Sequence, residues 1–231
     1  MTRAMILAAG RGNRLRPLTD HCPKPLVSVA KKPLIVYHIE NLAKAGFTEI
    51  VINLFHLGEK IEAYLGNGSH WGVNIVYSVE PSLLEVGGGI CNALALLGPS
   101  PFVVVNGDIW TDYAFNRLPS ALTGLAHLVL VDNPLHHEAG DFSLQPNGQL
   151  SRENQYGTLT YSGISMLDPD LFKGYSKGST FRLAPLFDKA ILSQQLYGEY
   201  YQGAWTDVGT LSRLQSLENA LALAPLAQKI S

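Results

Sequence analysis

The chain has 231 residues, enough for a sizeable core and compatible with a single domain spanning residues 1–231. Hydrophobic residues make up 46% and charged residues 16%, an ordinary balance for a compact α/β protein, and the net charge of −2 gives no pull towards nucleic acid. No apolar run is long enough to span a bilayer, and Cys22 and Cys91 offer neither zinc spacing nor a disulfide framework. A cytoplasmic protein with reduced thiols, no signal peptide and no obligate protein partner is expected.

Along the chain, residues 4–9 form a continuous apolar run that predicts a parallel strand buried on both faces. Pro33 can open a helix that Gly46 stops. A strand at residues 49–54, a short helix at 58–65 and a strand at 73–79 follow. The run Gly87-Gly88-Gly89 leads into a helix through Leu97, and residues 102–105 form a strand ending in Asn106-Gly107-Asp108. This alternation predicts a Rossmann-like, mostly parallel sheet flanked by helices. The second half is less regular. Strands are expected at 127–131, 158–167 and 196–201, helices at 183–192 and 211–223, and a hairpin turn at Pro146-Asn147-Gly148. That half is expected to form the floor or lid of a substrate pocket.

Chemistry concentrates after the first strand. The run from Leu7 reads Leu-Ala-Ala-Gly10-Arg11-Gly12-Asn13-Arg14-Leu-Arg16-Pro17-Leu-Thr19, and Pro23-Lys24-Pro25 comes soon after. Six Lys or Arg lie between Arg11 and Lys32, a focused cationic site in an otherwise balanced chain. Glycines let backbone N–H groups approach an anion, and fixed cations suit a polyphosphate. Gly10-x-Gly12 is followed by Leu15 and not by a third glycine, and Pro17 blocks an early helix, so a dinucleotide fingerprint does not fit. Gly-Lys-Ser/Thr is absent, so a P-loop does not fit either.

The stretch from Leu7 to Pro25 resembles the motif of the sugar nucleotidyltransferases, with Asn13 where Thr or Ser is commoner. The resemblance continues at Val105-Asn106-Gly107-Asp108, Thr160-Tyr161-Ser162-Gly163-Ile164 and Trp205-Thr206-Asp207-Val208-Gly209-Thr210. Val51-Ile52-Asn53, Glu85-Val86-Gly87-Gly88-Gly89, the segment 128–134 and Leu183-Ala184-Pro185-Leu186 look most like the N-acetylmuramate 1-phosphate uridylyltransferases of peptidoglycan recycling.

The resemblance implies the nucleotide-diphospho-sugar transferase fold and a reaction that joins a nucleoside triphosphate to a sugar 1-phosphate. For this group the pair is UTP and N-acetylmuramic acid 1-phosphate. Glucose or mannose 1-phosphate with TTP or GTP is the neighbouring alternative, and a non-catalytic regulatory subunit that binds nucleotide sugars is another. By the same resemblance Asp108 and Asp207 bind Mg²⁺. Their alternatives are a local turn and a hydrogen bond just before a helix. Lys24 and Arg14 meet the reacting phosphates, and Gly10, Arg11, Gly12 and Asn13 supply backbone contacts. A solvated surface lysine is the alternative for Lys24.

Glu80 and Gly88 are the expected base readers, since a carboxylate accepts the single N3–H of uracil. The competing reading of Glu80 is a solvated strand end. By the resemblance Asn106, Asp141 and the backbone at Gly163 meet the sugar, with Asn106 also meeting the nucleotide; Arg182 is read as reaching a sugar phosphate or a lactyl carboxylate, against a surface salt bridge. His136 and His137 are read as exposed loop residues.

Overall fold

The computed structural model describes residues 3–227. A seven-stranded sheet runs through the molecule. Its strands are β1 (Ala4–Leu7), β2 (Glu49–Leu54), β3 (Asn74–Val79), β4 (Phe102–Asn106), β5 (Ala126–Val131), β6 (Thr160–Leu167) and β7 (Leu196–Tyr200). The spatial order is β7-β5-β6-β4-β1-β2-β3. β1 pairs in parallel with β2 and β4, and β2 with β3. β6 alone runs against its neighbours β4 and β5, while β7 is parallel to β5.

The helices are α1 (Leu34–Lys44), α2 (Gly58–Leu65), α3 (Glu85–Leu97), α4 (Ala184–Leu192) and α5 (Leu211–Ala227). Side chains alternate across a strand, so β1 feeds two cores. Ala4 and Ile6 join Ile35 and Ile39 of α1 and Ile61 of α2. Met5 joins Ile90 of α3 and Leu186 and Phe187 of α4. Because both faces are covered, the strand reads as unbroken apolar sequence. A smaller cluster of Val29, Leu34, Val208 and Leu217 seats α5.

The regular elements fall where the sequence places them, with three refinements. The glycines at 87–89 lie inside the first turns of α3 and not ahead of it. Three glycines in a helix cost roughly 1 kcal/mol each relative to alanine. Close packing explains their presence: a Cβ would lie 2.5 Å from the Phe181 ring at Gly87, 2.2 Å from Ser179 O at Gly88 and 2.6 Å from Glu80 Oε1 at Gly89. Second, Asp207 ends a short strand (Trp205–Asp207) paired antiparallel with Ile109–Thr111, which the sequence pattern does not reveal. Third, β6 carries a bulge between Tyr161 and Ile164. Gly163 sits there at φ +85, where a Cβ would strike the Asn106 carboxamide at 2.6 Å.

Candidate active site

Ligand sites in open α/β sheets form beyond the carboxyl ends of parallel strands. Here the ends of β1 and β4 open into a cavity of about 380 Å³ lined by Gly10, Gly12, Asn13, Arg14, Lys24, Asn53, Glu80, Glu85, Asn106 and Asp108, among others. Two smaller cavities adjoin it. One, about 300 Å³, is lined by Asn106, Asp108, His136, His137, Tyr161 and Asp207. The other, about 360 Å³, is lined by Glu85, Asn106, Asp141, Arg152, Tyr161 and Arg182. Asn106 lines all three and marks their junction.

The loop after β1 is held in shape before any anion arrives. Gly12 adopts φ +66, a left-handed conformation that favours glycine, and a Cβ there would lie 2.9 Å from Thr19 Cγ2 and 3.2 Å from Lys24 Cβ. Thr19 Oγ1 donates to Gly12 O at 2.9 Å. Ala8 N–H donates to Asn53 Oδ1 at 2.8 Å, and Asn53 Nδ2 donates to Glu80 Oε1 at 2.7 Å. A buried chain therefore runs from the loop to the end of β3.

Lys24 is not a solvated lysine. It is buried, its turn begins at Pro23, and Nζ lies 2.7 Å from Asp108 Oδ2. Asp108 is correspondingly an ion-pair partner at the cavity wall and not merely a turn residue. Asp207 comes alongside through the short ribbon, in which Asp207 pairs with Ile109 and Val208 N–H donates to Asp108 O at 2.8 Å. Arg213 Nη2 lies 3.0 Å from Asp207 Oδ2. Asp207 Oδ1 is buried without a hydrogen bond among the described residues, although His136 Nε2 stands 3.1 Å away. Two carboxylates bordering one cavity, one with an orphaned oxygen, form a donor set that fits Mg²⁺, which takes oxygen ligands and usually completes its sphere with water and substrate phosphates. Among the described residues no three His, Cys, Asp or Glu side chains converge on one metal position.

Glu80 is only 3% exposed, so it is no solvated strand end. Burial pushes its carboxyl above the usual range, against the pull of hydrogen bonds from Asn53 and the Leu84 N–H. Each carboxylate oxygen already accepts one bond and keeps a second lone pair. Gly88, paired with Glu80 in the sequence reading, is turned into the protein: its N–H donates to Phe181 O at 3.1 Å. Leu83, Glu85 and Val86 line the cavity instead. Glu85 does so at φ +62, an uncommon conformation for a residue with a side chain. Arg11 is exposed and lies over the Phe55 ring, with 5.7 Å from its guanidinium carbon to the centroid, so only its backbone belongs with the loop.

On the third cavity, Asp141 is engaged at both oxygens. His137 Nε2 is 3.0 Å from Oδ1, and Tyr161 N–H donates to Oδ2 at 2.9 Å. Arg182 lines the third cavity and has no carboxylate within salt-bridge distance among the described residues. Gly163 acts through Asn106, whose side chain packs against it.

Sequence reasoning missed Asn53 as a strut, Thr19, Glu85, Arg213 and the contacts of His136 and His137. The signals for Asn53 were a polar Asn near the end of an apolar strand and its place in the Val51-Ile52-Asn53 segment, neither of which reveals its partners. Nothing in the sequence pattern links Arg213 to Asp207.

A model of the nucleotidyl transferase family matches residues 3–142. The chain belongs to that family. It is 49% identical to the N-acetylmuramate alpha-1-phosphate uridylyltransferase of Neisseria meningitidis, over 94% of this chain and 96% of that protein. The protein of the same name from Caulobacter vibrioides is 33% identical over 96% and 97%. A mannose-1-phosphate guanyltransferase of Hypocrea jecorina is 32% identical over 90% of this chain and 60% of its own length. Among solved structures, a Bacillus anthracis protein in complex with a sucrose superposes with a TM-score of 0.81 at 22% identity, covering 95% of each chain, which supports the fold alone.

Proposed function

We propose that this enzyme transfers a uridylyl group from UTP to N-acetylmuramic acid 1-phosphate, releasing pyrophosphate and forming UDP-N-acetylmuramic acid for peptidoglycan recycling in the cytoplasm. The carrying observation is the Lys24–Asp108 pair at 2.7 Å beside the preformed anion loop. Near-full-length identity of 49% to a relative of that name supports the choice of substrates.

The reaction moves one phosphoryl-type bond. An oxygen of the sugar phosphate attacks the α-phosphorus of UTP, and the bond from that phosphorus to the bridging oxygen of pyrophosphate breaks. No side-chain nucleophile is needed, so the protein's task is to align the phosphates and offset moving charge. Backbone N–H groups of residues 10–13 and the Arg14 guanidinium take the β- and γ-phosphates. Lys24 serves the α-phosphate, where charge develops in the transition state. Asp108 and Asp207 would hold Mg²⁺, which would supply charge neutralisation on the phosphates. Glu80 offers its remaining lone pairs to the N3–H of uracil, with the first turn of α3 at the base edge. Asn106, supported by Gly163, sits where nucleotide and sugar meet. Asp141 borders the sugar, and Arg182 takes the lactyl carboxylate, which glucose and mannose lack.

A matrix of UTP, TTP, GTP and CTP against N-acetylmuramic acid, N-acetylglucosamine, glucose and mannose 1-phosphates, scored by pyrophosphate release, tests the reading. Turnover is expected to be highest for UTP with N-acetylmuramic acid 1-phosphate. A preference for GTP with mannose 1-phosphate would overturn it.

A further inference from the structure

Asp207 is gripped from two sides that are built differently. On the Oδ1 side, His136 belongs to an irregular loop and is half-exposed. On the Oδ2 side, Arg213 comes from α5, and its Nε and Nη2 are buried with no hydrogen bond among the described residues. The guanidinium occupies a slot left by Gly209, where a Cβ would lie 1.9 Å from Arg213 Nη2 and 3.1 Å from Asp207 Oδ2. The start of α5 is tied down around it. Arg213 N–H donates to Thr210 Oγ1 at 3.3 Å, and Leu214 and Leu217 pack on Val29, Leu34 and Val208.

We propose that Arg213 is the positioning residue for Asp207: seated in the Gly209 slot, it fixes Oδ2 and so turns Oδ1 towards the cavity shared with Asp108, for a divalent cation. This rests on the reading of Asp207 as a metal ligand. A guanidinium with Nε and Nη2 buried, whose one charged partner among the described residues is Asp207, leaves only at the cost of a largely enclosed, unpaired charge. A half-exposed imidazole on a loop can leave for water. Arg213 is therefore the permanent partner and His136 the replaceable one. Groups that orient a ligating carboxylate commonly govern metal affinity as strongly as this arrangement requires.

The test is Mn²⁺ binding to the full chain with UTP present and sugar phosphate absent, followed by electron paramagnetic resonance, alongside the Mg²⁺ dependence of turnover. Arg213→Met is expected to weaken Mn²⁺ binding by about 10–100-fold, with Arg213→Lys restoring part of it. Gly209→Ala keeps the charge but fills the slot, and is expected to weaken binding in the same direction. That variant and Arg213→Lys carry the test if Arg213→Met does not fold. Unchanged Mn²⁺ affinity in the folded variants overturns the proposal, as does tighter binding, which would make Arg213 a competitor of the cation. Asp207→Asn separates the layers. If it too binds Mn²⁺ normally, the metal reading itself has failed. If it alone loses Mn²⁺, only the role of Arg213 has.

Discussion

The loop after β1 lines the first cavity and the loop after β5 lines the two that adjoin it, and they are held by different forces. The first is fixed by the buried bond that Ala8 N–H donates to Asn53, by the part-buried bond from Thr19 to Gly12 O, by the left-handed Gly12 and by the enclosed Lys24. The second is held by more exposed contacts: His136 to Asp207, His137 to Asp141 and Arg152 to the Asp141 carbonyl at 2.8 Å, with the Tyr161 N–H donating to Asp141 Oδ2. Leu135, on that loop, is 92% exposed. Buried bonds are costly to break, whereas exposed ion pairs contribute roughly 0–1 kcal/mol. On the proposed assignment the nucleotide side is thus built in advance, and the sugar side can rearrange around its ligand at small cost.

The largest expected effect lies on the rigid side. Removing one preorganised charge donor at a reacting phosphate costs about 3–4 kcal/mol of transition-state stabilisation. Lys24→Ala should slow turnover by roughly two to three decades, read as kcat at saturating substrates. A change under about threefold would place Lys24 outside the reacting centre.

Next comes a pH effect on stability. His38 of α1 is wholly buried, and burial lowers its pKa to about 4, against a backbone hydrogen bond with Ile109 and the nearby Asp108 charge. Between about 4 and the ordinary 6.5 the unfolded chain binds a proton that the native state refuses. Its contribution is neutral above that window, and it destabilises the fold progressively as pH falls through it, by about 3 kcal/mol at the lower end. Glu80, with its raised pKa, acts in the opposite sense and offsets part of this. Urea unfolding at pH 7 and pH 5 should therefore show the parent losing about 2 kcal/mol more than His38→Gln. Equal losses would remove His38 from the account.

A third prediction concerns the strut. Asn53→Ala leaves the buried Ala8 N–H without its acceptor and Glu80 Oε1 without its donor. Unfolding stability should fall by about 1–3 kcal/mol. The KM for UTP should rise while that for sugar phosphate stays nearly constant. Parallel rises in both would mean that the strut serves the whole site.

These outcomes bear on what the sequence could reveal. Buried strands and amphipathic helices announce themselves by local pattern, so β1, β2, α2 and the parallel half of the sheet were legible. Lys24 and the glycine-containing loop fall in one contiguous stretch, residues 7–25, and Asp108 in a second at 105–108, so the sequence could single them out as candidates. The ribbon carrying Asp207 was not, since its three-residue strands pair residues 109–111 with 205–207, and no local periodicity encodes such a distant match. Arg213 and Asn53 escaped for the same reason: their partners are chosen by the fold. Gly88 packs against Ser179 and its N–H bonds Phe181 O, and glycine looks alike in a sequence whether it admits a ligand or a neighbouring segment of chain.

The smallest effects belong to the adjustable side. Arg152 bonds the Asp141 carbonyl at 2.8 Å and lies over Phe142 at 4.2 Å, while its ion pair with Asp188 is exposed. His137 holds Asp141 from the other direction. His137→Ala should cost under about 1 kcal/mol of stability, because the contact is half in water and screened. It should nonetheless raise the KM for N-acetylmuramic acid 1-phosphate several-fold, since Asp141 is then free to turn away from the Tyr161 N–H and the sugar cavity loses a fixed wall. The KM for UTP should not move, because His137 lines the second cavity and not the one bordered by the anion loop. A stability loss comparable to that of Asn53→Ala, or a matching rise in the KM for UTP, would show that the two loops are equally rigid and that the contrast drawn between them is wrong.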